Sequence, residues 1–513
     1  METDYKTSGL VYQEDINNLV DISGSVKGDR VMKFIQHHYS FQRPRLQMLD
    51  AYYRGFNKHI LDPDSRRVEK GKADYRATHS FAKYIADFQT SYSAGNPISI
   101  RLGDNDKDRQ PLDDINKAND VDNENYELFL DISRFGRAYE LTYRDQQDVD
   151  RFIYLDPEET FIIYDQTVDP KPVMAVRYHQ IEVVDDNNNT SLKFVPETWT
   201  NAAHTVFNPV EIGGVMVPTS EDELVVMPVV EYQNNRFRQS DFENVIPLID
   251  LYDAAQSDTA NYMTDLNDAM LVLQGDINAL FQGADLLQDV NEDQDDSAAS
   301  EMEKLAKAKA KILQEMKDAN LLLLQSGVNS LGQQTSVSAG YIHKEYDVEG
   351  TEAYKKRLEA DIHKFSHTPN LTDENFAGNV SGVAMKYKLL GTVEMAATKR
   401  RFFEKGLYQR YAIIDKIERT ASNPDWKINP DDIVFTFQDN LPADDISMIQ
   451  QLAQTGANIP QAYLYQYLPN VDNPDQITKM LDEQQKAAGE YQFGNSSNKS
   501  GEGGVDNGEG EQQ

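Results

Sequence analysis

The spacing of apolar residues divides the chain into a mixed first part and a helical second part. Arg30–Tyr53 and Phe81–Tyr92 carry apolar residues at helical spacing, and Pro44 predicts that the first stretch is divided into two helices. Between residues 138 and 230, short runs rich in Val, Ile, Tyr and Thr alternate with turn-forming clusters, which is typical of strands. The region up to residue 241 is therefore predicted to be α+β.

After Phe242 the apolar residues recur every three or four positions, which predicts a helix that continues through Leu266. A second helix is predicted from Gly350 to His367, and strands at Asn320–Gln325 and Ala339–Tyr346. The stretch between them contains an acidic segment, 285–303, and a Lys- and Ala-rich stretch, 300–318, that favours a solvated helix. Two helices thus flank a small unit that contains strands.

A long helix is predicted over residues 381–420, because this stretch has no proline and ends in a clear apolar stripe. At 1.5 Å per residue, such a helix would span about 60 Å. The preceding segment, 368–380, contains Pro369 and Gly378 and is expected to be a loop. Shorter helices are predicted between residues 446 and 488, and the tail from Gly494 lacks hydrophobic residues and is expected to be disordered.

The composition excludes several classes of protein. The chain has no cysteine, so disulfide frameworks, thiol nucleophiles and iron–sulfur clusters are excluded. The longest aliphatic run is Leu321–Leu324, far short of the roughly 20 apolar residues of a membrane span, so no membrane association is expected. The net charge of −35 predicts repulsion of phosphates. This charge fits either a protein that is simply highly soluble or a surface along which DNA moves without being bound tightly.

Motifs for the common enzymatic sites are absent from the sequence. It contains no Gly-x-x-x-x-Gly-Lys-Ser/Thr loop, no His-Glu-x-x-His and no Gly-x-Ser-x-Gly. Asp104–Asp108 resembles the start of a calcium loop, but Arg109 and Ile115 occupy the positions that need Gly and Glu. We therefore predict no catalytic residue, no metal and no cofactor. Adjacent acids such as Asp113-Asp114 and Asp444-Asp445 leave a magnesium-dependent nucleic-acid enzyme as a minor alternative.

Three segments together resemble the portal proteins of tailed bacteriophages, in the subfamily common among phages of Gram-positive hosts. They are Tyr52–Leu61, Phe81–Ile98 and Asn375–Lys388, and the resemblance extends over about residues 30–480. It implies an α+β portal fold with wing, stem, clip, crown and a long spine helix, in subunits that form a ring, usually of twelve copies. The fold would contribute two stem helices per subunit.

The resemblance also implies boundaries along the chain. They are a wing at 1–241, a first stem helix at 242–270, a clip at 271–349, a second stem helix at 350–367, a tunnel loop at 368–380, a spine helix at 381–420, a crown at 421–480 and an acidic tail at 481–513. The acidic insert 285–303 lies inside the clip and, like the tail, has no counterpart in the resemblance.

The implied function is a portal vertex subunit, whose ring is the channel for DNA packaging and ejection. Implied partners are further copies of the chain, double-stranded DNA, the terminase large subunit, a head-completion or adaptor protein, the scaffold and the major capsid protein. The protein is expected in the virion, and in the host bacterial cytoplasm during assembly. Another structural virion protein, from the tail or baseplate, is the main alternative.

Two groups of residues are expected to lie near the DNA. The tunnel loop would present small and polar residues, namely Asn370, Thr372, Asn375, Gly378, Asn379 and Ser381. On the second stem helix, Lys355, Lys356 and Lys364 could face the channel, or could pair with acids such as Glu352 on the same helix. The basic run Lys399-Arg400-Arg401 on the spine helix is expected to pair between subunits.

Overall fold

In the computed structural model, sequence-distant segments form three packed parts of an α+β protein. The structure describes residues 11–64, 73–103, 109–184, 188, 190–265, 270–275, 321–325, 338–342, 347–371, 387–440, 480–481 and 483. The predicted tail, the acidic insert, the predicted helix at 300–318 and nearly all of residues 441–488 lie outside these ranges. Among the described residues, no helix combines the length and apolarity needed to cross a bilayer.

The described chain contains fourteen strands and ten α-helices. The strands are β1 Tyr12–Gln13, β2 Ser99–Leu102, β3 Arg137–Arg144, β4 Asp150–Leu155, β5 Thr160–Tyr164, β6 Pro172–Val184, β7 Thr190–Trp199, β8 Ala203–Phe207, β9 Pro218–Glu223, β10 Val229–Gln233, β11 Met270–Gly275, β12 Leu321–Gln325, β13 Ser338–Ile342 and β14 Ile433–Thr436. The helices are α1 Ile16–Leu19, α2 Gly28–His37, α3 Arg43–Tyr53, α4 Lys58–Leu61, α5 Phe81–Ala94, α6 Gln110–Ala118, α7 Val121–Phe135, α8 Ile246–Asp265, α9 Val348–Phe365 and α10 Leu390–Thr420.

The first part is a six-stranded sheet in the order β1-β5-β6-β7-β8-β9. Its strands pair antiparallel except β1, which runs parallel to β5. The apolar face of α2, with Val31 and Ile35, forms one core cluster with Phe161, Val176 and Tyr178 of this sheet. A π-helical turn, His38–Gln42, joins α2 to α3. The backbone is helical without interruption from Gly28 to Tyr53, so the predicted division near Pro44 takes the form of a local change of helix type rather than a break.

The second part surrounds α10. The three-stranded sheet β10-β3-β4 and the two-stranded sheet β14-β2 share a core cluster with its buried stripe, which includes Phe403, Leu407 and Tyr411. Helix α7 adds to this cluster and ends at Gly136, whose φ of +82° favours glycine. A Cβ at this position would lie 2.0 Å from the carbonyl oxygen of Arg238, so the close approach also requires glycine.

The third part is a helical hairpin with a small sheet. Along the chain, β11 follows helix α8, and α9 follows β13. In the sheet, β11 is the central strand; it pairs parallel with β12 and antiparallel with β13. The base of α8 shares a core cluster with α3 and α5. The sequence predicted both helices and the strands β12 and β13, but not β11.

The described part of the spine helix, α10, has 31 residues, Leu390–Thr420, and the predicted start of this helix at residue 381 lies outside the described ranges. Residues 426–436, which the resemblance assigns to the crown, pack in the core of the second part. Within this segment, Trp426 and Phe435 are buried in the α10 cluster, and β14 pairs antiparallel with β2. Backbone pairing and apolar burial thus bind residues 426–436 to the predicted wing.

Candidate functional site

The two long helices of the hairpin run antiparallel. Near its base, Asn244 Nδ2 donates a hydrogen bond to the carbonyl oxygen of Phe365 at 2.9 Å. Further out, Lys355 Nζ donates to Gln256 Oε1 at 3.0 Å. Residues near the start of α8 therefore lie beside the end of α9, and the middle of one helix lies beside the middle of the other. The hairpin leaves the core and returns to it at neighbouring points.

A ladder of hydrogen bonds fixes α8 to the extended segment before α5. The backbone N–H groups of Tyr75, Ala77 and His79 donate to Asn261 Oδ1 at 2.5 Å, Ser257 Oγ at 2.9 Å and Asp253 Oδ1 at 3.0 Å. Acceptors spaced by four residues lie on one face of a helix, while every second N–H of an extended chain faces the same way. The two repeats match in length. Because the partners on α8 descend from Asn261 to Asp253 as the segment ascends from Tyr75 to His79, the segment runs antiparallel to α8.

Polar side chains near the base of α8 strengthen this attachment. Asn57 Nδ2 donates to Asp250 Oδ1 at 3.0 Å and to Asp253 Oδ2 at 2.9 Å, and Tyr52 donates its hydroxyl to Asp250 at 2.6 Å. Burial raises the pKa of Tyr52, and the neighbouring Asp250 carboxylate raises it further. Tyr52 is therefore a neutral donor at physiological pH, and the base of α8 is held rigidly.

The segment 366–371, which follows α9, is clamped between α5 and α10. Gln89 on α5 donates to the carbonyl oxygen of His367 at 3.2 Å and to Thr368 Oγ1 at 3.1 Å, and Thr392 on α10 donates to the same carbonyl at 2.7 Å. Tyr84 donates its hydroxyl to the carbonyl oxygen of Pro369 at 2.8 Å. His367 has a φ of +53°, uncommon for a residue with a side chain. The chain thus turns sharply here and is then fixed up to Leu371.

The predicted tunnel-loop residues begin where this clamp ends. Asn370 donates a hydrogen bond to Glu359 Oε1 of α9 at 2.9 Å, so its side chain folds back onto the hairpin. The other predicted loop residues, Thr372, Asn375, Gly378, Asn379 and Ser381, lie outside the described residues. The structure therefore describes the root of the predicted loop, and the DNA-proximal role of the loop stays a prediction.

The three lysines singled out on α9 lie in different environments. Lys355 is 6% exposed and its ammonium contacts Gln256 and Glu352, so it packs within the hairpin of this chain. Lys356 and Lys364 are exposed, and the ammonium of Lys364 lies 5.4 Å from the centre of the Phe365 ring. Lys356 and Lys364 therefore remain the two accessible cations of the predicted channel-facing set.

For the basic run Lys399-Arg400-Arg401 on α10, the structure corrects the predicted pairing. Lys399 is buried, and its ammonium donates to Asp241 Oδ2 and to Ser133 Oγ, each at 2.6 Å. Arg400 donates to Asp439 Oδ1 at 2.7 Å. The expectation that these two residues pair between subunits is wrong, because both have their acidic partners within the same chain. Arg401 is exposed.

Residues that the sequence reading missed hold the hairpin and its root in place. Gln89 and Thr392 carried no signal beyond being polar residues within apolar helical stretches, which is where a buried hydrogen-bonding role is typical. The ladder residues Asp253, Ser257 and Asn261 showed a clearer signal, since they lie on one helical face at four-residue spacing. Their partner segment, 75–79, has no pattern of its own.

Within the described residues, no group of three or more His, Cys, Asp or Glu side chains could hold a metal ion. Of the acid pairs noted in the sequence, Asp113 accepts a hydrogen bond from Arg109 and Asp114 accepts one from Gln110. Asp444-Asp445 lies outside the described residues.

Comparison with known proteins identifies relatives over most of the chain. A family model described as phage portal protein, SPP1 Gp6-like, matches residues 32–490. The portal protein of Clostridium phage phiCD119 is 22% identical over 434 residues, which cover 81% of this chain and 86% of that protein. The portal protein of Bacillus phage SPP1 is 21% identical over 224 residues, which cover 40% of this chain and 43% of that protein.

Proposed function

We propose that this chain, which belongs to the SPP1 Gp6-like family of phage portal proteins, forms the ring channel through which DNA enters and leaves the capsid. The observation that carries the proposal is the match over residues 32–490, which includes the hairpin and its clamped root. In this role the protein is a structural component of the virion at the portal vertex, and its relatives are portal proteins of phages of Gram-positive bacteria.

The hairpin supports an assignment of the parts. Helices α8 and α9 would be the stem, the sheet β12-β11-β13 would belong to the clip, and α10 would be the spine. The clamped segment 366–371 would be the root of the tunnel loop, placing Asn370 at its start. Because residues 426–436 are bound to β2 and the α10 core, we place the start of the crown after residue 440 instead of at residue 421.

A ring would account for the exposed apolar side chains of the hairpin. Leu251 and Met263 on α8 and Tyr354 and Phe365 on α9 are 45–50% exposed in the single chain. Neighbouring copies in a closed ring can cover such residues, since each subunit presents the same surfaces to its neighbours. The clip would then be the docking site for the terminase large subunit and later for a head-completion protein, while the wing would face the scaffold and the major capsid protein.

The charge of the chain suits a channel that holds DNA weakly. Each copy carries a net charge of −35. Tight binding to duplex DNA requires many cations that displace counterions from phosphates, and of the predicted stem lysines only Lys356 and Lys364 are accessible in this chain. The DNA would therefore slide past with few, transient contacts.

Electron microscopy of the purified protein tests the proposal directly. We expect rings with a central opening wide enough for duplex DNA. A protein that stays monomeric at all concentrations and is absent from virions would contradict it. A monomer with magnesium-dependent nuclease activity would favour the enzyme alternative, and incorporation into the tail alone would favour the alternative of a tail or baseplate protein.

Deletion of residues 370–379 tests the tunnel-loop assignment. We expect rings to assemble, because the clamp formed by Gln89, Thr392 and Tyr84 holds residues 366–369, and we expect packaged DNA length or yield to fall. Normal packaging by assembled rings of the deletion variant would show that these residues are not the tunnel loop.

Charge reversal tests the channel-facing lysines. Lys356→Glu is expected to alter DNA packaging or retention while ring formation is unchanged, since Lys356 is exposed and outside the hairpin core. Lys117→Glu on α6, an exposed helical lysine of the predicted wing, is the matched control and should leave packaging unchanged. A defect limited to ring formation would instead assign Lys356 to contacts between subunits.

A further inference from the structure

A cavity of about 250 Å³ lies between α10, the edge strand β10 and the turn that joins β5 to β6. Ile162, Val229 and Phe402 contribute apolar surface to its walls. Two exposed residues, Asp169 of the turn and Gln409 of α10, lie at its mouth. None of the lining residues belongs to the hairpin or to its clamped root. The proposed stem and tunnel loop therefore do not account for this cavity.

The carboxylate inside the cavity already has its partners. Glu231 accepts hydrogen bonds from Arg238 at 2.7 and 2.8 Å, from the Tyr164 hydroxyl at 2.5 Å and from Gln233 Nε2 at 3.0 Å. A buried charge that is paired and hydrogen-bonded in this way needs no cation from a ligand. The cavity therefore favours an uncharged group with apolar surface.

The size of the cavity suits a single aromatic side chain. An apolar cavity of about 150 Å³ can hold benzene, so about 250 Å³ has room for one ring and its methylene group. Pockets for small-molecule ligands are usually larger, from about 300 Å³ upward. A protein side chain therefore fits this cavity better than a free ligand does.

Phe237 is an exposed aromatic residue on a tightly fixed turn. It is 65% exposed. The backbone N–H groups of Phe237 and Gln239 donate to Asn235 Oδ1 at 3.0 and 3.1 Å, and Asn235 Nδ2 donates to the carbonyl oxygen of Gln239 at 2.9 Å. Arg238, which follows Phe237, has a φ of +53° and is held by its ion pair with Glu231. A turn that is already fixed loses little conformational freedom on binding, and aromatic side chains are frequent anchors of protein interfaces.

The surroundings of Phe237 and of the cavity are complementary. Phe237 does not line the cavity of its own chain, so another copy can supply the ring. Arg236 beside Phe237 and Asp169 at the mouth are both exposed and carry opposite charges, which would set the register of a contact. A contact between two different surfaces of identical subunits can close into a ring.

We propose that Phe237 of one copy inserts into this cavity of the neighbouring copy, with Arg236 of the first copy beside Asp169 of the second. The inference rests on the proposed function, because it names a contact between copies of the proposed ring. Within each copy, the Glu231–Arg238 ion pair joins the cavity wall to the turn that carries Phe237. Filling one cavity would therefore stabilise the turn that fits the next copy, and the contacts would form cooperatively around the ring.

Disulfide cross-linking tests the contact, because the chain has no cysteine of its own. Asp169→Cys combined with Arg236→Cys keeps Phe237 and places one thiol on each side of the proposed contact. Under oxidising conditions we expect a ladder of covalent oligomers on a non-reducing gel, up to the closed ring. Each single-cysteine variant is a matched control and should give no species larger than a dimer. Adding Phe237→Ala to the double-cysteine variant should remove most of the ladder.

Two further variants separate the two sides of the contact. Phe237→Ala removes the ring, and loss of a buried aromatic anchor should weaken the contact about thirtyfold or more. Gln409→Trp places a large side chain at the mouth of the cavity and should block insertion. Both positions are exposed, so both variants should fold, which their thermal unfolding midpoints check. Phe56→Ala, which removes a 59% exposed ring after α3, is the matched control and should assemble like the parent.

A mixture of the two variants keeps one intact contact, between Phe237 of the Gln409→Trp copy and the cavity of the Phe237→Ala copy. At concentrations where the parent forms rings, we expect each variant alone to stay dispersed and the mixture to give mixed dimers in native mass spectrometry. If the mixture associates no more than the single variants do, the inference is overturned.

The remaining outcomes distinguish this inference from the proposed function. If the parent forms no ring, the proposed function fails and the inference fails with it. If the parent forms rings but the double-cysteine variant gives only an intrachain disulfide, or a dimer that never extends, the inference is overturned while the proposed function stands. The same holds if Phe237→Ala assembles as readily as Phe56→Ala does.

Discussion

The side chain of Arg410 is fully buried about two thirds of the way along α10, and its loss is expected to destabilise the second part of the protein strongly. Its Nε and Nη2 atoms donate to the two carboxylate oxygens of Glu140 at 2.8 and 2.7 Å, and Nη1 donates to Asn125 at 2.9 Å. The guanidinium carbon also lies 4.4 Å from the centre of the Phe152 ring. Arg410→Met fills similar space but leaves Glu140 as a buried carboxylate with Tyr232 as its remaining donor.

Breaking a buried ion pair from one side costs about 3–5 kcal/mol, because the remaining charge is desolvated without its partner. We expect the free energy of unfolding in urea to fall by that amount in Arg410→Met. Combining Arg410→Met with Glu140→Gln removes the unpaired buried carboxylate and should restore a substantial part of the lost free energy of unfolding. Arg401→Met, at an exposed arginine on the same helix, should cost less than about 0.5 kcal/mol.

The decisive measurement is the coupling energy from this double-variant cycle, with helix content followed by circular dichroism. If Arg410→Met and Arg401→Met are equally stable, the buried pair contributes nothing and the reasoning is wrong. If the double variant is as unstable as the sum of the single variants, the loss comes from packing rather than from an uncompensated charge.

Three further predictions concern other buried contacts. A Cβ at Gly406 would lie 2.4 Å from ring atoms of Tyr232, so Gly406→Ala should cost about 1–3 kcal/mol in urea unfolding. Burial opposes ionisation of Glu231, but the nearby Arg238 outweighs this effect and lowers the pKa of Glu231 to about 2. The stabilisation of the fold by ionised Glu231 is complete above pH 4.5 and is lost as the pH falls toward 2. The free energy of unfolding of Glu231→Gln should therefore fall less steeply between about pH 5 and pH 3 than that of the parent. Gln89→Leu removes donors to segment 366–371 and should speed hydrogen exchange of its amides.

Each of these predictions has its control. Gly103→Ala places a Cβ no closer than 3.6 Å to its neighbours and should cost little; an equal loss at both glycines would contradict the steric argument. Glu221→Gln, at an exposed site, should leave the acid profile as steep as in the parent. Amides of β6 are the internal reference for exchange in Gln89→Leu, and unchanged exchange in 366–371 would show that Gln89 does not clamp the segment.

Periodicity predicted the elements whose faces are buried against one partner. The helix predicted at Phe81–Tyr92 is observed at Phe81–Ala94, and the apolar stripe of the spine helix is buried as its spacing indicated. The strand β11 was missed because a short apolar run without alternation does not distinguish a strand from a helical segment. The pairing of β14 with β2 could not be predicted, because these segments lie far apart in the chain and neither carries a local signal for the other.

The candidate site was predictable in position but not in its contacts. The break at Pro369 predicted that the second helix of the hairpin ends before it, and α9 does end at Phe365. Nothing local indicated that Gln89 and Thr392 hold the segment that follows. Lys399 was expected to pair between subunits, since charged residues are seldom fully buried within one chain. It is buried instead, where Asp241 and Ser133 compensate its desolvation.

The short distance between Asn244 and Phe365 makes the outer half of the hairpin a tolerant place for change. When a segment starts and ends at adjacent positions, residues can be inserted into it or deleted from it, or the segment can be replaced, without moving the backbone on either side. Closing a longer excursion is inexpensive, at about 0.6 kcal/mol for each doubling of its length. The acidic stretch 285–303 lies inside this excursion, so lengthening or shortening it should leave the contacts in the rest of the protein unchanged.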